Sequence, residues 1–566
     1  MNAKAPQNAL ILDHVYAHES RHAGTVFLTQ PTGGGQVVDL TWAQTMDQAR
    51  RLAAHLQGRG LPRGARVAIL SKNCAHFFVA ELAIWMSGCA TVAIFPTETA
   101  ETIRFVLEHS EASLLFVGKL DIWDHQKPGV PAGLPCIALP LAPQSARKDF
   151  ETWEAIAART QPLSGQPARG GDELAMMIYT SGSTGTPKGV MQSFKAVSAA
   201  GKGFSEFIRK QIGPGTQARV LSYLPLAHSF ERSCVEMAAL WAGDTHVFFA
   251  DALETFVQDL QRAQPTIFMS VPRLYAKFQQ GVLAKMPAHK LDRLLALPII
   301  GKIVGRKVRK GLGLEHVLYA ASGSAPLTPE IIRWYRRLGL KLYEGYGMTE
   351  DNSYSHASYG EYSEPGYVGM PMVGVEVKLA EDGEVLIKSP AACDGYYKQP
   401  ELTQESFTAD GFFRTGDLGE RRPNGMLKIT GRAKELFKTA KGKYVAPAPI
   451  ENLINAHPMV EMSMVSGVGQ VSAYAIVVLA ENLRPRQSDP AVRAQVESEL
   501  NTLLKEVNAQ VPDYEQLRMI VVAHEAWSIE NGLLTPTMKI RRARIEKAVG
   551  GEIAQWFAAR GAVIWS

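Results

Sequence analysis

MIYTSGSTGTPKGV, residues 177–190, is the stretch on which the reading of this 566-residue chain turns. An apolar run of strand type, Leu174 to Tyr179, empties into Thr180, Ser181, Gly182, Ser183, Thr184, Gly185, Thr186, Pro187, Lys188 and Gly189. The glycines let the backbone turn tightly and bring its N–H groups close to an anion. Five hydroxyl side chains can donate to phosphate oxygens or coordinate a hard cation, and Lys188 adds a point charge suited to phosphate. This is a phosphate-gripping loop by composition, but not the Walker type. That motif needs Lys directly after Gly and Ser or Thr directly after Lys, whereas Pro187 precedes Lys188 and Gly189 follows it. On composition alone a Gly/Ser/Thr linker between domains stays open.

Length predicts two or three domains. A hydrophobic share of 46% with 20% charged residues allows large buried cores, and a net charge of +5 on so big a chain argues against a dedicated nucleic-acid binder. Cys74, Cys89, Cys136, Cys234 and Cys393 are odd in number and widely spaced, which suggests neither a disulfide framework nor structural zinc. The start lacks the order of a secretory signal, and no run of about 18 apolar residues occurs, so a cytoplasmic location is the simplest expectation.

Residues 1–170 alternate between helical and strand patterns. Thr41 and Gln44 fit a capping box ahead of a helix with Met46, Ala49, Ala53 and Leu56 on one side. Strand-type runs at Val67–Leu70, Val92–Phe95 and Leu114–Val117 are separated by helical segments such as Ala75–Met86, which implies largely parallel sheet. Val220–Leu224 leads into LPLAHSFER, and Thr266–Ser270 into Val271-Pro272-Arg273. Leu294 to Leu312 is helical in pattern and carries Lys302, Arg306, Lys307, Arg309 and Lys310; such a stretch can lie on anionic lipid, as at the inner face of a membrane, though more often it is a solvated face. Thr328 and Pro329 read as N-cap and N1 of a helix burying Ile331, Ile332 and Tyr335. From 366 to 430 alternating Val375, Val377 and Leu379, then Val385–Ile387 and an Asn424-Gly425 turn, suggest a small antiparallel or distorted barrel unit. Beyond Gly431 the pattern is a shorter α+β unit.

Four further motifs follow the loop in order: Ala320-Ala321-Ser322-Gly323-Ser324-Ala325-Pro326, Tyr343-Glu344-Gly345-Tyr346-Gly347-Met348-Thr349-Glu350, Phe413-Arg414-Thr415-Gly416-Asp417, and Leu534-Thr535-Pro536-Thr537-Met538-Lys539. Together with YTSGSTGTPKGV they resemble the AMP-forming acyl-CoA synthetases and their adenylating relatives, over roughly Thr41 to Arg542. The resemblance implies an α/β fold. A large N-terminal domain, 1–430, would hold mainly parallel sheets flanked by helices plus a small distorted barrel at about 366–430. A hinge at 431–434 and a small mobile α+β C-terminal lid domain, 435–566, would follow.

The resemblance also implies the site. The loop residues and Lys188 would hold the phosphates of ATP, and the segment Gly323, Ser324, Ala325, Pro326 would line the adenine and acyl pockets. Glu344, Gly345, Tyr346, Gly347 and Thr349 would surround the nucleotide. Glu350, with the Thr180 hydroxyl, would hold Mg2+, since a carboxylate beside phosphates is sensible only with a metal between them. Asp417 would take the ribose diol, with Arg432 as second contact and Ile429 beside it. Lys434 matches the family's hinge position and Lys438 its thioester-step lysine. Lys539 would bring a cation to the carboxylate and α-phosphate as two anions meet, where negative charge builds. Lys539, Glu350, Thr180 and His228 make up the expected catalytic set.

For the acyl group, LPLAHSFER, PTIFMSVPRLYAKF and LTPTMKIRR resemble the long-chain branch, and Gly347 stands where acetate-specific relatives carry a tryptophan floor, so space for methylenes is expected there. Two residues depart from the pattern: Phe194 replaces a histidine common after the phosphate loop, and Arg232 stands where some long-chain enzymes place a gating Trp. The expected activity is therefore ATP-dependent ligation of a long-chain fatty acid to coenzyme A, by a monomer or homodimer with no nucleic-acid partner. The alternatives are a medium-chain, aryl or other acid, a different acceptor, or a silent lipid or nucleotide carrier. An amino-acid-activating enzyme would want an acidic residue near His228, which Ser229 and Phe230 do not supply. The motif side chains are all present, which argues against the carrier.

Overall fold

The computed structural model describes residues 9–181, 186–535, 538–559 and 561–566. Its centre is an eight-stranded sheet in which Leu174–Ser181, Ala90–Ile94, Arg66–Leu70, Ala112–Val117, Cys136–Ala138 and Glu151–Thr152 run parallel. Pro187–Ser193 and Gly395–Tyr396 extend one edge antiparallel. The helix Ala75–Met86 explains why this sheet does not stand alone. It is apolar on every side and buries eleven of its twelve residues, as a helix enclosed by other layers must. Its Phe77, Phe78 and Trp85 share one core with Val67 and Ile69 of the large sheet and with Phe27 and Val247 of a second sheet. That second sheet orders Arg219–Ser222, His246–Phe249, Val26–Gly33 and Gln36–Thr41.

A third sheet begins with parallel strands Ile267–Ser270, Tyr319–Ser322 and Leu342–Tyr346 and ends with short antiparallel ones. Small residues along Tyr319–Ser322 leave its carboxyl end open to a ligand, the usual position in α/β sheets. The expected small unit is a four-stranded antiparallel sheet, Glu376–Leu379, Glu384–Lys388, Phe413–Arg421 and Leu427–Arg432, with bulges. Asn424-Gly425 lies in the turn joining its last two strands. One piece of this stretch, Gly395–Tyr396, leaves to pair with the large sheet at Met191 and Val190.

The C-terminal part has cores of its own. Val460–Ser466 pairs antiparallel with Ala473–Leu479, and Leu517–Val522 and Val563–Trp565 add on parallel. All seven residues of Ala473–Leu479 are buried, because the helix Pro490–Asn508 covers one face and Trp527, Ile545 and Trp556 the other. This part meets the rest through charges: Glu461 takes Arg273 from the helix Pro272–Lys285, and Glu481 takes Lys277 at 3.7 Å.

Two local expectations need correction. Residues 294–312 are two helices, Ala288–Leu295 and Pro298–Gly311, because Pro298 disfavours helical backbone at Leu297. Thr328 does sit at an N-cap, but its hydroxyl caps nothing and is buried without a partner. The Thr41–Gln44 capping box, by contrast, is fully formed.

Candidate active site

The loop read from sequence is the turn of a hairpin. Leu174–Ser181 and Pro187–Ser193 pair antiparallel, with Thr180 opposite Lys188 and Ser181 opposite Pro187. Gly182, Ser183, Thr184 and Gly185 lie outside the described residues. Gly189 is small for a reason: a Cβ there would approach within 3.1 Å of the Tyr179 ring, whose hydroxyl bonds His109 at 2.8 Å.

Lys188 extends over the ring of Tyr396, 5.6 Å from its centroid. The Tyr396 hydroxyl donates to Oε1 of Glu350 at 2.7 Å. Gln192, on the hairpin's second arm, donates to the carbonyl of Thr349 at 2.7 Å and accepts from Asn352 at 2.8 Å. Asn352 and Ser353 both have left-handed backbone (φ 54° and 56°), costly for non-glycine residues. These bonds, and that from Asn352 to the Ala391 carbonyl, hold the turn. The Ser229 hydroxyl joins Ser353 at 2.9 Å. Three motifs far apart in sequence thus share one wall.

A second group of contacts centres on Asp417. Tyr346 donates its hydroxyl to Oδ2 at 2.6 Å, and Arg432 donates Nε to Oδ1 at 2.7 Å. Asp417 is buried opposite Arg432, and half-buried Ile429 lies further along the same strand pair, opposite Gly419 beyond a bulge. Each carboxylate oxygen keeps a second acceptor site for a diol. Gly323 passes below, where a Cβ would lie 3.4 Å from the Phe230 ring, and Ser324 follows in left-handed backbone (φ 68°). Ala325 and Pro326 are exposed.

His228 accepts the Phe230 N–H at Nδ1, 3.1 Å away, so its proton belongs on Nε2. Burial, and then the charge of Lys539, push its pKa down to about 3. It is a neutral hydrogen-bond donor at physiological pH. Lys539 comes from the C-terminal part, on a tight turn in which its N–H donates to the Thr535 hydroxyl at 3.0 Å. Its side chain keeps accessible surface while nearby protein groups strip part of its water. Loss of water lowers its pKa first and Arg432 second, against Asp417 and Glu435. Pro536 and Thr537 lie outside the described residues.

Some expected contributors sit elsewhere. The Glu344 carboxylate is buried, accepts the Gly366 N–H at 2.8 Å and is pushed up to about 7 by burial. Any nucleotide contact at that residue falls to its backbone. Gly347 opens no space: a Cβ there would lie 2.6 Å from the Ser353 backbone, so the expected room for methylenes is filled by the chain itself. Lys434 is exposed, and Lys438 lies on the hairpin Phe437–Lys438/Tyr444–Val445 against the Tyr444 ring. Arg232 is fully buried, paired with Glu81 and, at 3.2 Å, with Glu236. It is packing beneath the site, not a gate. Phe194 is likewise core, under Arg169 and edge-on to Trp85. The sequence reading missed Tyr396 and Gln192, since neither lies in a motif whose composition suggests chemistry.

The donor set suits a hard cation. Thr180 and Glu350 are oxygen donors on the same wall, and the Tyr396 bond fixes the carboxylate's orientation. Among the described residues no cluster of three or more His, Cys, Asp or Glu could hold a metal alone. A cation here would therefore draw most of its ligands from phosphate and water, as magnesium does.

Comparison with known proteins now decides the family. The AMP-binding enzyme profile matches residues 16–397, and the AMP-binding enzyme C-terminal domain profile matches 435–561. The chain belongs to the AMP-binding enzyme family. It is 29% identical over 579 residues to the long-chain-fatty-acid–CoA ligase FadD15 of Mycobacterium bovis, covering 95% of both chains. It is 28% identical to the peroxisomal long chain acyl-CoA synthetase 6 of Arabidopsis thaliana, covering 92% of this chain and 82% of that one. Among solved structures, the adenylation domain of a carboxylic acid reductase from Segniliparus rugosus, bound to AMP and a carboxylic acid, superposes with a TM-score of 0.81. It is 22% identical and covers 98% of this chain and 95% of that one. This AMP-binding enzyme therefore has the α/β adenylate-forming fold, a large N-terminal domain of mixed sheets with helices and a C-terminal domain. Among the described residues no helix is long and apolar enough to cross a membrane.

Proposed function

We propose that this enzyme joins a long-chain fatty acid to coenzyme A at the cost of ATP. The carboxylate attacks the α-phosphorus to give an acyl-adenylate and pyrophosphate, and the thiol of CoA then displaces AMP. The observation that carries the reading is Lys539 of the C-terminal part, whose charge bears on His228 and which itself feels the charges of Arg432 and Asp417. A cation there offsets the repulsion between carboxylate and triphosphate and stabilises charge in the transition state. Lys188 and the loop amides would hold the outer phosphates, Asp417 and Arg432 the ribose, and neutral His228 would donate a hydrogen bond beside the reacting carboxylate. Mg2+, held by Glu350 and Thr180, would supply charge neutralisation on the phosphates.

The second half-reaction needs Lys539 out of the way of CoA. The charged contacts of Glu461 and Glu481 are the kind that release cheaply, which supports a pivot of the C-terminal domain at 431–434 about Lys434. Lys438 would serve the thioester step in the pivoted arrangement. The long-chain assignment rests on the named activities of the relatives. A second reading, a shorter or aromatic acid, is favoured by the filled space at Gly347. A series of free acids from acetate to palmitate, with benzoate, in the presence of ATP, Mg2+ and CoA, decides between them. Turnover rising with chain length and releasing AMP plus pyrophosphate supports the proposal. A preference for benzoate or acetate, or release of ADP, refutes it.

A further inference from the structure

The helix Pro298–Gly311, PIIGKIVGRKVRKG, turns its isoleucines to water and its glycines, with half-buried Val304 and Val308, to the protein. Its buried residues are Gly301 and Gly305. A Cβ at Gly301 would lie 2.5 Å from the Leu295 carbonyl, and one at Gly305 2.7 Å from that of Leu338. The helix is thus seated flat on the body through its glycines. Ile299 is 77% exposed, Ile303 62% and Ile300 45%, with Leu297 at the N-cap 46%.

At 100° per residue, Ile299, Ile303, Arg306 and Lys310 form one outward stripe, flanked by Lys302 and Lys307. The helix contains no acidic residue. Glu315 ion-pairs with Arg306 at 2.7 Å, and its charge also bears on Lys310 and Arg309. Arg309 leans inward, where burial lowers its pKa. Among the described residues Lys302, Lys307 and Lys310 enter no ion pair. Exposed isoleucines ringed by unpaired lysines do not serve solubility, which needs only the charges. They match a surface that is negatively charged outside and hydrocarbon within.

We propose that this helix docks the enzyme on the surface of an anionic lipid bilayer. A helix of about 21 Å at 1.5 Å per residue would lie in the interface with Ile299, Ile300 and Ile303 among the upper acyl chains and the lysines at the headgroups. A second copy of this chain is a poor occupant, since a two-fold contact would set one basic stripe against another. The inference stands on this face alone and is independent of which acid the active site takes.

The test is co-sedimentation of the full-length protein with vesicles of equal parts phosphatidylglycerol and phosphatidylcholine, and with phosphatidylcholine alone. Binding to the anionic vesicles only, weakened by salt, is expected. The double variants Ile299→Ser/Ile303→Ser and Lys302→Glu/Lys307→Glu should each lower partitioning about tenfold or more. Their melting temperature and their turnover of a soluble acid such as octanoate should be unchanged, because the altered side chains point to water. Absence of binding, or equal binding by the variants, overturns the proposal. So does a size-exclusion shift of the isoleucine variant from dimer to monomer, which would assign the face to a second copy.

Discussion

The Tyr396 hydroxyl donates to Oε1 of Glu350 across 2.7 Å while Lys188 rests over the same ring. One tyrosine thus ties the expected metal carboxylate to the hairpin that carries the phosphate loop. Tyr396→Phe keeps the ring under Lys188 and frees the carboxylate. Because a hydrogen bond to a charged group contributes about 1.5–3 kcal/mol, adenylation at limiting Mg2+ should fall roughly tenfold or more and recover in part at high Mg2+. A magnesium titration of pyrophosphate exchange measures this; an unchanged titration would leave Tyr396 without a part in orienting Glu350.

Arg232 has two buried carboxylate neighbours, Glu81 and Glu236, and one positive charge to share. Burial and the charge of Glu81 raise the Glu236 pKa well above the carboxylate range, which favours its protonated form. Glu236→Gln should then change stability by no more than about 1 kcal/mol, whereas Arg232→Gln leaves a buried charge uncompensated and should cost about 3–5 kcal/mol. Urea unfolding of the two variants compares them directly; equal losses would contradict this charge assignment.

Asp351 accepts the Met348 N–H at Oδ1, while Oδ2 is buried without a partner. Burial first, with Glu350 adding to it, pushes its pKa up to about 8, far above about 3.9 in an unfolded chain. The protonated form is the one the fold favours. Its contribution is complete below about pH 4 and is lost as pH rises through about 8. Asp351→Asn, neutral at every pH, should match the wild type below about pH 4, gain on it by about 1.4 kcal/mol per pH unit between about pH 4 and 8, and exceed it by roughly 5 kcal/mol at pH 9. Melting curves across that range test it; parallel pH profiles would refute it.

Gly347 admits the Ser353 backbone where a Cβ would lie 2.6 Å from it. Gly347→Ala should therefore destabilise by about 1–3 kcal/mol and disturb the turn that carries Glu350. Were space at this position reserved for substrate, the same change would spare stability and only shorten the preferred acid. Thermal melting and an acid series on one variant separate the two.

Legibility differed by kind of signal. The helical pattern over Ala75–Met86 lies where the structure has the helix, which is apolar all round because other layers enclose it. The strand Pro187–Ser193 escaped notice, because Pro187, Gly189 and Gln192 read as loop until pairing with Leu174–Ser181 overrides propensity. The motifs located the walls of the site but not what orients them. Tyr396 reaches Glu350 only because Gly395–Tyr396 joins the large sheet beside Met191, a long-range pairing with no local trace. Arg232 looked like a departure at a gate; its partner Glu81 lies 151 residues away on another helix, so the reason for an arginine was invisible along the chain.

Lys539 provides the most direct test of the account. The two half-reactions of Lys539→Ala can be followed separately, adenylation by pyrophosphate exchange with ATP and acid, and thioester formation from supplied acyl-adenylate and CoA. If Lys539 stabilises the first transition state alone, adenylation should drop by about 10²–10³ with thioester formation largely intact. Equal loss in both half-reactions, or in neither, would contradict the role that its position beside His228 and Arg432 assigns to it.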